Sequence, residues 1–178
     1  MIRYIFLFLL YSLYLLPQTS SNVWEIESGK ARFKSETEWE TIEGIAEGFS
    51  GKVNLSTKEI LVTMSVSTWA TPNRLQTSHM HDNYLETDKF PEAKFEGKIN
   101  QLEPNTGKVN VSGKLTLHGI TKEYKDIVGL WKQIEKGKSQ YDTEFSILLS
   151  DHKIEIPSLV IIKLNNEIKL KVRLYLKS

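Results

Sequence analysis

The sequence predicts an all-β fold: an extended antiparallel barrel of eight strands with one short helical insert. Three observations lead there. Most of the chain reads as successive segments of strict apolar–polar alternation, the mark of strands with one face buried and one face wet. Short polar connectors, such as Ser56-Thr57-Lys58 and Glu103-Pro104-Asn105-Thr106-Gly107, separate them and favour hairpins. Only Asn73 to Ile99 breaks the pattern, running through a helix-like piece and a turn at Phe90-Pro91 before resuming as a strand. Closure suits long strands because it leaves no edge unpaired.

Residues 1–21 stand apart from this pattern. Arg3 precedes an apolar run from Ile5 to Leu16, followed by Pro17 and the small polar tail Thr19-Ser20-Ser21. A basic start, an apolar stretch of about 7–15 residues and small residues at its end describe a secretory signal peptide. The run falls short of the roughly 20 residues that a membrane span needs. The expectation is a signal peptide at 1–21, cleaved after Ser21, and one exported domain at 22–178, periplasmic or secreted. Arg3 is the leader's one basic residue among 23 Lys and Arg, so the rest of the chain balances its 22 acidic residues at zero formal charge. That excludes the concentrated basic excess of a nucleic-acid-binding protein. Cysteine is absent, so no disulfide or thiol nucleophile enters, and a core must hold the domain together.

In chain order, Ala31 to Ser35 is expected as a strand with Ala31, Phe33 and Ser35 on one face, and Trp24 and Trp39 as core or rim aromatics. Gly44 to Leu55 places Phe49, Gly51, Val53 and Leu55 together. Ile60 to Thr68 turns Ile60, Val62, Met64 and Val66 to one side. After the insert, Lys94 to Leu102 presents Phe95, Gly97 and Ile99. Lys108 to His118 is the clearest strand, with Val109, Val111, Gly113, Leu115 and Leu117 on one face; its eleven residues span about 37 Å at roughly 3.4 Å each. Lys122 to Trp131, Tyr141 to Ser150 and a short Ser158 to Leu164 follow. Tyr141, Thr143, Phe145, Ile147 and Leu149 share a face. The last strand, Glu167 to Lys177, points Ile168, Leu170, Val172, Leu174 and Leu176 inward, and leaves Lys169, Lys171, Arg173 and Lys177 as an outward basic stripe.

Gly51, Gly97 and Gly113 fall at inward positions between apolar neighbours. Each removes side-chain volume from an interior that, with eight strands, is near the size where one ligand fits. The alternative is that they mark bulges or corners. A cavity between such faces would be long and apolar, suited to a lipid chain, since each buried methylene contributes roughly 0.8 kcal/mol.

Catalytic motifs are weak. His79-Met80-His81-Asp82 resembles a metallo-hydrolase run, but two histidines at i, i+2 share a metal only on an extended segment and diverge on a helix. A metal-dependent hydrolase built on His79 and His81 is the rival reading, and a barrel filled by its own side chains, serving as an interaction module, is another. Gly48-Phe49-Ser50-Gly51 lacks the spacing of a nucleophile elbow. His118 is on an outward face beside Gly119 and reads as a turn-stabilising donor.

Several short motifs occur in a characteristic order: Phe49-Ser50-Gly51, Asn73-Arg74, Asp82-Asn83-Tyr84-Leu85, Phe90-Pro91 with Phe95 beyond, Val111 to Lys122 (VSGKLTLHGITK), and Phe145 with Asp151. In this the chain resembles the YceI-like family over about Trp24 to Lys177. The resemblance implies a lipocalin-like antiparallel barrel, exported to the periplasm, with a polyisoprenoid or other amphiphile in its central pore. Two departures, Leu75 after Arg74 and His152-Lys153 after Asp151, fall where a head group would sit.

The expectation is therefore a non-enzymatic binding protein that needs no cofactor or metal. Its partner is an amphiphilic lipid or isoprenoid. A transient contact between the basic stripe and a membrane surface, and a homodimer, are left open. The expected pore lining is Phe33, Phe49, Gly51, Val53, Val62, Met64, Phe95, Gly97, Val111, Gly113, Leu115, Phe145, Ile147 and Leu170, with Asn73, Arg74, Asp82 and Tyr84 at the gated end.

Overall fold

The computed structural model describes residues 22–38, 40–156 and 164–178. The expected leader at 1–21, Trp39, and the expected strand Ser158–Leu164 up to its last residue lie outside the described residues. Among those described, nine strands form one antiparallel sheet: β1 (Val23–Glu36), β2 (Thr41–Ala46), β3 (Phe49–Asn54), β4 (Glu59–Ser65), β5 (Glu92–Leu102), β6 (Lys108–Leu117), β7 (Ile120–Glu135), β8 (Lys138–Leu148) and β9 (Glu167–Lys177). β9 returns to β1 from Glu25 to Lys34, which closes the sheet.

The ninth strand is half of a bent one. The other edge of β1 is shared, with β3 on Val23–Glu25 and β2 on Ala31–Glu36. β2 and β3 together fill one place in an eight-stranded barrel. The expected single strand Gly44–Leu55 breaks between them because Gly48 turns the chain through a left-handed φ of 73°. The Thr68 hydroxyl donates to the Glu47 carbonyl there at 2.6 Å. Ala70 then pairs with Ile45 through two backbone hydrogen bonds of 2.8 Å, so the insert mends the gap above the bend.

β1 starts eight residues before the expected Ala31, at Val23. A register shift between Ile26 and Ser28 breaks its alternation there, and with it the sequence signal. The strand expected to reach Thr68 stops at Ser65, and Val66–Thr68 forms a 3₁₀ turn.

The insert closes over one end of the barrel. Helix α1 (Arg74–His79) is capped by Asn73, whose side-chain oxygen accepts from the backbone N–H groups of Leu75 (2.9 Å) and Gln76 (3.3 Å). A π-helical turn, Met80–Tyr84, continues it. Val66, Leu85 and Ala93 are buried beneath, in a cluster with Leu115, Leu117, Ile147, Leu149, Ile154 and Ile168. A second cluster at the far end gathers Val53, Ile99, Val109, Val111, Leu174 and Leu176, and Trp24 stands edge-on to Trp131 with ring centroids 5.4 Å apart.

On the outer surface the basic stripe is largely matched. Lys169 pairs with Glu36 (2.5 Å), Lys171 with Glu144 (2.9 Å) and Arg173 with Asp142 (2.6 Å). Exposed pairs of this kind contribute about 0–1 kcal/mol each.

Candidate functional site

Between the two apolar clusters the barrel encloses a cavity of about 240 Å³. It extends from Trp131 and Tyr141 at the far end to His79 and Met80 beneath the insert. His79 is itself exposed, so the cavity meets the surface beside α1.

The structure brings together most of the expected lining. Phe33, Phe49, Val53, Val62, Met64, Phe95, Val111, Leu115, Phe145, Ile147 and Leu170 all border the cavity. Three expected residues, Gly51, Gly97 and Gly113, do not. Gly51 has a φ of 135°, and a methyl group there would meet the Leu61 carbonyl oxygen at 2.0 Å, so it marks a distortion of β3. Gly97 and Gly113 are directly opposite each other on β5 and β6. A methyl group on either would come within 2.6 Å of the Phe95 ring. These two glycines make a flat bed on which Phe95 lies; the space they release is taken by that ring.

At the insert end, Tyr84 lines the cavity, but Asn73, Arg74 and Asp82 do not. Asn73 is spent on capping α1, Arg74 is exposed, and Asp82 accepts from the Ser78 hydroxyl at 2.8 Å. Their places are taken by Trp69, Thr71, Gln76, His79, Met80 and Leu85. Gln76, Met80 and Tyr84 recur at helical spacing, a signal that reading the stretch by its motifs passed over.

Few of the groups that line the cavity are ionisable. Among the described residues no Lys, Arg, Asp or Glu lines it. Burial raises the pKa of Tyr84 and of Tyr141, so both phenols stay protonated. A shallow groove of Thr41, Ile42, Glu43, Pro72, Asn73 and Gln76 adjoins the insert end and shares Ile42 and Gln76 with the cavity. Gln76 Nε2 also donates to Glu40 Oε1 at 3.4 Å.

Trp69 joins the insert to this end of the cavity. Its backbone N–H donates to the Val66 carbonyl at 3.1 Å, its own carbonyl accepts from His81 Nε2 at 2.8 Å, and its ring centroid lies 6.2 Å from that of Phe33. The indole Nε1 is buried without a hydrogen-bond partner among the described residues.

The two histidines of the rival reading serve different ends. His79 is at the C-terminal turn of α1, and His81 follows on the π-helical turn, where positions two apart diverge. His81 Nδ1 meets the Thr87 hydroxyl at 2.7 Å, so both its ring nitrogens are engaged. No three metal-ligating side chains converge among the described residues.

The sequence profile of the YceI-like domain matches residues 22–176. Among solved structures the chain is similar to a polyisoprenoid binding domain from Saccharophagus degradans implicated in plant cell wall breakdown, with a TM-score of 0.75 at 16% identity, over 87% of this chain and 98% of that one. It is similar to BcnA of Burkholderia cenocepacia at a TM-score of 0.71 and 18% identity, over 83% and 95% of the two chains. It is also similar to the YCEI protein of Campylobacter jejuni at 0.65 and 18%, over 80% and 88%. None of the curated proteins matches this sequence.

Proposed function

This chain belongs to the YceI-like family, and we propose that it is a non-enzymatic binding protein that holds the apolar chain of an amphiphilic lipid, a polyisoprenoid or a molecule of that kind, inside the barrel. The observation that carries this reading is the lining: predominantly aliphatic and aromatic side chains, without a Lys, Arg, Asp or Glu among the described residues that border it. Each methylene brought out of water into such a lining contributes roughly 0.8 kcal/mol. Ten of them supply about 8 kcal/mol, enough to offset much of the freedom lost on association. At about 240 Å³ the volume is just below the roughly 300 Å³ at which ligand pockets usually begin, and it suits one slim chain. The polyisoprenoid-binding relative supports the same class of ligand. The leader-like sequence at 1–21 supports export to the periplasm or beyond, where such a protein would carry, store or sequester its lipid.

Native mass spectrometry of protein purified from a cell envelope tests both parts. The expected spectrum shows a chain starting at Asn22 with an organic adduct that solvent extraction removes. A chain retaining residues 1–21, or one that carries no adduct and takes up no added isoprenoid, would overturn the corresponding part.

A further inference from the structure

On the reading of this cavity as a lipid-chain site, we infer that the polar end of the ligand is an uncharged hydrogen-bond acceptor, such as a carbonyl oxygen, received by Trp69 Nε1. Two independent observations meet here. The first is the orphaned donor. An indole N–H can only donate, and that of Trp69 is buried without a partner among the described residues, on a residue that lines the cavity. Trp69 is also fixed at both backbone ends, by Val66 and by His81, and its ring lies near Phe33, so it does not swing freely to water. Buried donors are almost always satisfied, and an acceptor carried by the ligand would satisfy this one. Ser139 Oγ is also buried without a partner, but Ser139 does not border the cavity.

The second observation is the charge at this end. Thr71, Gln76 and His79 offer further hydrogen bonds, but no Lys or Arg is among the described lining residues. The adjoining groove carries the carboxylate of Glu43, and Gln76 already donates to Glu40. Lys34 is spent on Glu36 and Glu43, at 2.7 and 3.7 Å. Arg74 is exposed on α1, outside the lining. A phosphate or diphosphate head would bring its charge close to the Glu43 carboxylate, with no Lys or Arg among the described lining residues to match it, and burial of an unpaired charge is strongly opposed. A ketone, quinone, amide or ether oxygen meets no such penalty.

Three probes sharing a farnesyl chain separate the alternatives by titration calorimetry on delipidated protein: farnesylacetone, which carries a ketone; farnesene, which has no head group; and farnesyl diphosphate. The ketone is expected to bind about tenfold tighter than the hydrocarbon, the scale of one hydrogen bond to a buried donor, and the diphosphate weakest. Trp69→Phe keeps an aromatic ring and removes the donor, so the ketone's advantage over farnesene should fall to about onefold, with a cooperative thermal melt reporting an intact fold. Independently of any variant, the Trp69 indole N–H resonance should move downfield with farnesylacetone and not with farnesene. Tightest binding by the diphosphate, an advantage for the ketone that survives Trp69→Phe, or an unmoved indole resonance overturns the inference and leaves the chain-binding reading standing. Failure of all three probes to bind overturns both.

Discussion

His152 shows how much a single side chain is asked to do in this barrel. It is entirely buried, its Nδ1 faces the Ile120 carbonyl at 3.0 Å, and its Nε2 faces the Tyr124 hydroxyl at 3.0 Å. A carbonyl only accepts, so Nδ1 carries the proton and Nε2 accepts from the phenol. The two rings stack at 7°. Burial pushes the pKa of His152 below its ordinary 6.5, and burial, followed by the Asp151 charge, pushes the Tyr124 phenol up to about 12. The unfolded chain therefore takes up a proton before the folded one does. The stability contributed by the neutral ring is complete above about pH 6.5 and drains away as the pH falls from there towards the folded value. Thermal melts between pH 8 and pH 5 should show this decline in the native protein and a shallower one in His152→Gln. Equal acid slopes for the two would refute it. The sequence marked this position as a departure near a head group, and parity could not say otherwise. His152 sits on a 3₁₀ turn, where strand alternation carries no information about which way a side chain points.

At the scale of strands, alternation proved the readable property. It gave β6 and β9 almost to the residue, since both keep their alternation of buried and wetter positions along the strand. It failed where the backbone leaves the pleat: at the register shift in β1, at the bend between β2 and β3, and at Gly51. The eleven apolar lining residues read from parity all reach the cavity because side-chain direction in a strand follows from position alone. What Gly97 and Gly113 accommodate could not be read in the same way. The absence of a side chain is visible in a sequence, but the ring that fills the space comes from Phe95, through a rotamer fixed by tertiary packing. Gly113→Ala should press on the Glu96 carbonyl oxygen and lift Phe95 off its bed and into the bore, costing about 1–3 kcal/mol as overpacking does and weakening uptake of an isoprenoid. Chemical denaturation and titration of the same variant measure the two effects. Wild-type stability, together with unchanged uptake, would mean that the ring rests elsewhere. The insert was legible only as an interruption. Its Asn73 cap is a local signal, whereas the exposure of Trp69 to the cavity depends on contacts with Val66, His81 and Phe33 that lie 3, 12 and 36 positions away.

Taken as a whole molecule, the barrel is asymmetric along its axis. Val23 starts β1 beside Asn54, and Lys177 ends β9 beside Glu25, so the first strand begins and the last strand finishes at the end where Trp24 meets Trp131. The insert and the exposed His79 are at the other. The interior between them is apolar surface without a full complement of packing partners, and such a lining forgoes dispersion contacts that a bound chain would restore. Ligand and fold are therefore linked. An isoprenoid at about 100 times its Kd should stabilise the folded state by about 2.7 kcal/mol. For a domain of this size that corresponds to a rise in Tm of roughly 5–10 °C. Val172 is half-buried and faces the bore from β9. Val172→Trp would place a large side chain where the ligand chain lies. The variant should melt at or above the temperature of the ligand-free native protein and gain nothing from added isoprenoid. Differential scanning calorimetry on delipidated samples distinguishes the outcomes. A ligand-induced rise of the same size in both proteins would place the bound chain on the outer face of the barrel instead of within it.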